Sequence, residues 1–184
     1  MAEKKERKEV FATLMNFLVE VFSEKYLIQD HQNLIKTNNS IQSETDTAIR
    51  GHNAFQTDIL ISKKDEKENP LVVIELKTGS SEGTPTTHDV ILYSAKSGKH
   101  KSIYPQIRYG MVWFNGKKVP NRFLTNNENM DFAFGFSDDI ISKEKDREIF
   151  LEMLREQLKT AEDTLRLLEL KTTASMFSSI IRYE

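Results

Sequence analysis

The run Leu71-Val72-Val73-Ile74-Glu75-Leu76-Lys77 constrains this chain more than any other stretch. Its apolar, β-branched opening suits a strand buried on both faces, at the centre of a sheet flanked by helices. A second such run, Thr57-Asp58-Ile59-Leu60-Ile61-Ser62, lies ahead of it, and the residues between, 63–70, are polar and close on Pro70. The pattern reads as strand, turn, strand. A symmetric turn pairs Ser62 with Leu71 and sets Asp58 across from Glu75, where cross-strand Cβ atoms lie about 4.5–5.5 Å apart. The two-residue period sends Glu75 and Lys77 to one face and Leu76 to the other.

Around this hairpin the periodicity changes to that of helices. Val10, Phe11, Leu14, Leu18, Val21 and Phe22 form one stripe and predict a helix from about Glu6 to Gln29. The polar stretch His31 to Asn53 reads as loop with at most one short element. Gly79 to Pro85 reads as a flexible loop, and His88 to Ser97 as a helix with Val90, Ile91 and Tyr93 inward and Asp89 in its first turn. Gly110 to Phe114 reads as a buried strand ended by the turn dipeptide Asn115-Gly116, and Asp131 to Phe136 as another strand. Ser142 to Leu170 carries Ile149, Phe150, Met153, Leu154, Leu158, Ala161, Leu165 and Leu168 at helical spacing. The order predicts an α/β (α+β) fold, a central mixed sheet flanked by helices with a long C-terminal helix. At 184 residues, one domain over 1–184 is expected, with its core about 6–136 and the last helix about 142–170. That last stripe is expected either to pack on the sheet or to serve a homodimer.

Two carboxylates held as close as Asp58 and Glu75 repel unless a cation lies between them. A hard divalent ion such as Mg²⁺ suits a pair of carboxylates, a carbonyl and waters, and leaves positions for a phosphate oxygen. Lys77 beside it is placed to orient water and to stabilise charge on phosphorus. Asp58 followed after sixteen residues by Glu75-Leu76-Lys77 on an apolar strand resembles the PD-(D/E)XK nuclease superfamily, the restriction-endonuclease-like proteins, most like a small type II restriction endonuclease. The family's order of helix, motif-bearing hairpin, helix and strand matches residues 6–114.

The resemblance implies a Mg²⁺-dependent DNA endonuclease, with Mn²⁺ able to substitute, that hydrolyses phosphodiester bonds to 5′-phosphate and 3′-hydroxyl ends. It implies Asp58, Glu75 and Lys77 as catalytic residues. Asp58, Glu75 and the Leu76 backbone carbonyl would bind the metal, and an acid of the first helix, Glu24 ahead of Glu20, is the candidate for a further ligand. Thr57 stands where the family's name has proline. Gln106 and Tyr109 sit near the place where many branches carry Gln and Tyr. The competing class is a non-catalytic nuclease-like DNA-binding or helical dimerisation module, against which the complete set of Asp58, Glu75 and Lys77 counts.

Charge supports a polyanion partner, DNA above all, in spite of a net charge of −2. From Val90 to Arg122 seven bases (Lys96, Lys99, Lys101, Arg108, Lys117, Lys118 and Arg122) meet no acid, whereas 138–169 carries ten acids against six bases. His88, Lys96, Lys99, His100, Lys101, Gln106 and Arg108 are the expected DNA contacts, with Thr84, Thr86 and Thr87 further candidates. The absence of cysteine excludes disulfide scaffolds, thiol nucleophiles and Cys-ligated zinc. The four histidines show no ligand spacing, and neither a G-x-x-x-x-G-K-[ST] loop nor a G-x-S-x-G elbow occurs. No apolar run approaches membrane-spanning length, and the mixed-charge start does not read as a signal peptide, so a cytoplasmic protein is expected.

Overall fold

A computed structural model describes residues 2–36, 48–64, 69–77, 84–114, 116, 118–138 and 141–169, with side chains from residue 8 onward. The elements run α1 (Ala2–Phe22), β1 (Tyr26–Asp30), β2 (Asn33–Ile35), β3 (Ala54–Gln56), β4 (Ile59–Lys63), β5 (Pro70–Lys77), α2 (Thr87–Ile103), β6 (Arg108–Trp113), α3 (Asn121–Asn126), β7 (Phe132–Gly135) and α4 (Glu144–Glu169). β1, β4, β5, β6 and β7 form one mixed sheet in that order, and β2 pairs with β3 in a separate hairpin. β4 runs antiparallel to its neighbours β1 and β5, while β6 and β7 continue parallel to β5. The parallel step from β5 to β6 needs a crossover, and α2 supplies it.

Pro70–Lys77 sits in the middle of the sheet, and its unbroken apolar opening follows from burial on both faces. Val72, Ile74 and Leu76 face a core closed by α1 (Val10, Leu14, Phe17, Leu18, Phe22) and α4 (Phe150, Leu154, Leu158, Ala161, Leu165). Val73 faces the opposite way, into a smaller core with Tyr109, Met111, Trp113 and Val90 of α2. The α4 stripe is thus buried against the core as far as Leu165, while Leu168 is exposed. Gly110 lacks a side chain because the Phe132 ring occupies the place where a Cβ would stand. Among the described residues no helix is long and apolar enough to cross a membrane.

Several expectations are corrected. The first helix stops at Phe22, and Tyr26–Asp30 is a strand on β4 rather than the helix's last turns. The four-residue step from Phe22 to Tyr26 continues the helical spacing by coincidence, and pairing with β4 overrides it. The loop read over His31 to Asn53 contains β2, and β3 follows it. The helix expected over His88 to Ser97 runs to Ile103, because Gly98 does not end it: a Cβ there would press on the Asn129 side chain, so the glycine marks close packing. Ile91 is exposed rather than inward. α3 escaped notice, being six residues with Phe123 alone buried. The loop over 79–83, the tip of the turn over 65–68, Asn115, Lys117 and Leu170 lie outside the described residues.

Candidate functional site

The hairpin register is as the symmetric turn requires from Ile59 to Ile61: Ile59 pairs with Ile74 and Ile61 with Val72. A bulge then shifts Ser62 to Pro70, so the irregularity lies at the turn end and leaves the other end undisturbed. Asp58 stands one residue before β4, beside Glu75. Its Oδ2 accepts the backbone N–H of Leu76 at 2.8 Å. The segment leading into it is fixed by Thr57, buried, whose backbone N–H and hydroxyl both donate to the Gln32 carbonyl at 2.8 and 3.1 Å. The His31 N–H donates to the Asp58 carbonyl at 2.9 Å.

Glu75 points to the α2 side and is 2 % exposed. Its Oε1 accepts the Lys96 ammonium at 2.5 Å and the Tyr109 hydroxyl. Burial raises the Glu75 carboxyl above its ordinary range and the charge on Asp58 adds to that, while Lys96 and Tyr109 oppose it. Burial and Glu75 together hold the Tyr109 phenol well above its ordinary value, so it stays a donor. Lys96 Nζ also donates to the Gln56 carbonyl at 2.5 Å, which ties β3 to the site.

Lys77 shares the face of Glu75 as the strand period requires, but its ammonium lies elsewhere. It pairs with Asp89 Oδ1 at 2.5 Å, 5.1 Å from the centroid of the Tyr93 ring. Asp89 is also the acid of a capping box at the start of α2: its Oδ2 accepts the N–H and hydroxyl of Thr86. Burial alone would raise the Asp89 carboxyl, yet Lys77 and the two Thr86 bonds hold it below its ordinary value. The cation on Glu75 is therefore Lys96. Helical spacing carried a signal for this, since Asp89, Tyr93, Lys96 and His100 recur at steps of four, three and four on the sheet-facing side of α2.

Glu24 is not brought to the site. It is exposed beyond the end of α1, next to Tyr26, which pairs with Lys63 at the far end of β4. Five strand residues, roughly 17 Å at ~3.3 Å each, separate that end from Asp58. Glu20, exposed in the last turns of α1, shares that end. It is the N-terminal half of α1 that reaches the Asp58 side, where Phe11 packs on the His31 ring.

Three of the seven bases in the acid-free block from Val90 to Arg122 are neutralised by acids from elsewhere. Lys96 is taken by Glu75, and Lys101 and Arg108 converge on Asp131 at 2.7 and 2.9 Å. Arg122 donates to the Pro85 carbonyl and to Thr84. Two of the expected DNA contacts have no surface: His100 is fully buried between Phe55 and Tyr109, and Gln106 is buried with its amide on the Pro70 carbonyl. Burial and the nearby Lys96 push the His100 imidazole down to about 4, which keeps it neutral at physiological pH. His88 and Lys99 remain exposed.

The residues at the site fit a hard divalent ion. Asp58 and Glu75 are the hard oxygen donors such an ion takes, and their bonds engage only Oδ2 of Asp58 and Oε1 of Glu75. In an extended strand a residue's N–H and C=O point to the same edge, so the Leu76 carbonyl lies on the Asp58 side. Mg²⁺ is commonly held by one or two carboxylates together with substrate phosphate and water. Among the described residues no three or more His, Asp or Glu gather as a metal-binding cluster, so protein donors alone would not complete a coordination shell. No family model, no curated protein and no solved structure matches the chain.

Proposed function

We propose that this chain is a Mg²⁺-dependent DNA nuclease that hydrolyses phosphodiester bonds at Asp58 and Glu75. The observation that carries the reading is the placement of these two carboxylates at adjoining ends of β4 and β5, Asp58 on the Leu76 N–H and Glu75 on the Lys96 ammonium. The order of helix, hairpin, crossover helix and parallel strand agrees with the arrangement that the resemblance implies. A bound Mg²⁺ would act as Lewis acid on a phosphate oxygen and lower the pKa of its water.

The chain's own part is distributed over few residues. Asp58, Glu75 and the Leu76 carbonyl would hold the ion. Tyr109 and Lys96 orient the Glu75 carboxylate by donating to Oε1, leaving Oε2 directed by that constraint. Lys77, paired with Asp89 in this structure, would have to turn from it to supply positive charge to the phosphate oxygens and to orient the attacking water. Asp89 keeps its ammonium at the end of β5. Lys96, already on Glu75, balances the buried charge before an ion binds.

Supercoiled plasmid incubated with Mg²⁺ or with EDTA tests the reading. Nicking is expected with Mg²⁺ alone, to be abolished in Asp58→Ala and reduced 10²-fold or more in Lys77→Ala. Undiminished nicking by Asp58→Ala contradicts the assignment. One observation favours a second reading, a non-catalytic DNA-binding module: Lys96 already neutralises Glu75, as in a structural ion pair. In that case DNA binds with or without Mg²⁺ and is never cut.

A further inference from the structure

Of the basic block, Lys99 stays exposed and, among the described residues, without an acid partner, and it lies beside positive charge carried by another element, the β2–β3 hairpin. Its described residues, 33–36 and 48–56, contain Lys36, Arg50 and His52 and neither Asp nor Glu. The Lys36 ammonium lies 4.3 Å from the centroid of the Phe55 ring, and that of Lys99, from α2, lies 5.7 Å from the same centroid. Arg50 is exposed and is bridged through its backbone to Ala54, next to Phe55. Among the described residues neither lysine has an acid partner. Two ammonium groups over one ring attract the ring face but repel each other, an arrangement that an anion between them completes.

The position of this patch relates it to the carboxylates. Phe55 is three residues ahead of Asp58, roughly 10 Å of extended chain. Lys99 is one helical turn, roughly 5 Å, beyond Lys96, whose ammonium touches both Glu75 and the Gln56 carbonyl. Duplex DNA carries a phosphate about every 3.4 Å of axis on each strand, so such a span covers about three nucleotides.

We propose that Lys36 and Lys99, which meet over the Phe55 ring, together with the exposed Arg50 of the same hairpin, grip the phosphate backbone of duplex DNA within about three nucleotides of the bond presented to Asp58 and Glu75. The placement of that bond rests on the nuclease reading, whereas the binding does not. His100, buried and neutral, packs edge-to-face with the Phe55 ring and adds no charge to the patch.

The test is fluorescence anisotropy of a labelled 20-base-pair duplex, titrated with the full chain in EDTA over a series of salt concentrations. The variants are Lys36→Gln/Lys99→Gln and, as a control of equal charge change on the opposite side of the sheet, Lys145→Gln/Lys159→Gln. Circular dichroism confirms that each is folded. In the hairpin variant the slope of log affinity against log salt is expected to flatten by about 1.8, from about 0.9 per phosphate contact, with affinity at low salt down at least tenfold. The control keeps the wild-type slope. An unchanged slope in the hairpin variant, an equal change in both variants, or binding to anionic phospholipid vesicles in preference to duplex overturns the proposal. Cleavage in Mg²⁺ is measured in parallel: cutting with an unchanged slope removes the patch and keeps the nuclease, and a flattened slope without cutting keeps the patch and removes the nuclease.

Discussion

The two faces of the central sheet are built by different rules. On the side covered by α1 and α4 the core is apolar throughout, from Leu14 and Leu18 through Ile59 and Ile74 to Phe150 and Leu154. The side covered by α2 buries Leu60, Val73, Met111 and Trp113, but also Glu75, His100, Ser94 and Ser97. The first face is stabilised by area removed from water, with little dependence on pH or on any single partner. The second depends on pairing, because a charge left alone in such a place costs far more than an exposed one. The residues able to do chemistry are confined to the second face, and α1 and α4 give that face a rigid backing.

The largest expected effect breaks the pairing on the α2 face. Lys96→Met leaves Glu75 buried without its cation and is expected to destabilise by about 3–5 kcal/mol, read by urea unfolding at neutral pH. Adding Glu75→Leu should recover most of that loss. If Lys96→Met costs below about 1 kcal/mol, Lys96 does not hold Glu75 and the contrast between the faces fails.

On the apolar face the matching change is Leu154→Ala, expected to cost about 2–5 kcal/mol through lost contacts and a cavity. This cost should be the same at acid and neutral pH, and no second substitution of a charge should repair it.

His100 sharpens the contrast through pH. Its imidazole lies at about 4 in the folded chain against an ordinary 6.5. Between these values the unfolded chain binds a proton that the native one does not, so stability is full above about 6.5 and is lost as pH falls toward 4, by about 3 kcal/mol. His100→Phe keeps a ring against Phe55 and Tyr109 and removes the titration. The stability difference between wild type and variant should therefore shift by about that amount between pH 7 and pH 4. A constant difference would show that the imidazole is not buried neutral.

A smaller effect is expected at Gly110, on the apolar face. A Cβ there overlaps the Phe132 ring, so Gly110→Ala should cost about 1–3 kcal/mol by overpacking, and a Phe132→Leu background should remove most of that cost. Equal costs in both backgrounds would place the strain elsewhere.

The same contrast explains what was legible in the sequence. Face α1–α4 announces itself as stripes: Leu14 and Leu18, then Phe150, Leu154 and Leu158, at spacings that only a helix satisfies. The Asp58 and Glu75 register was legible too, because strand period and a symmetric turn act locally, and the bulge at Ser62 fell at the harmless end. Partner choice was legible only in the helical spacing of Asp89, Tyr93, Lys96 and His100, not in proximity along the chain. Lys77 stands nearest Glu75 in the chain, yet Lys96 reaches it, since a crossover helix returns over the strand and brings residues twenty positions away into contact. The acid-free block misled for the same reason: Asp131 answers Lys101 and Arg108 from the next strand's entrance, and linear charge counts do not see it. Tyr26 to Gln29 fell within the expected helix although its apolar stripe ends at Phe22, and the hairpin β2–β3 was hidden in polar sequence where pairing, not pattern, makes the strands.

The central claim is that Asp58 and Glu75 form one divalent-ion site, and calorimetric titration with Mn²⁺ tests it most directly. Wild type is expected to bind one ion, Asp58→Ala and Glu75→Gln to lose it, and Lys77→Ala to retain it. Binding that persists in Asp58→Ala, or a wild-type chain that binds no ion, would contradict the account.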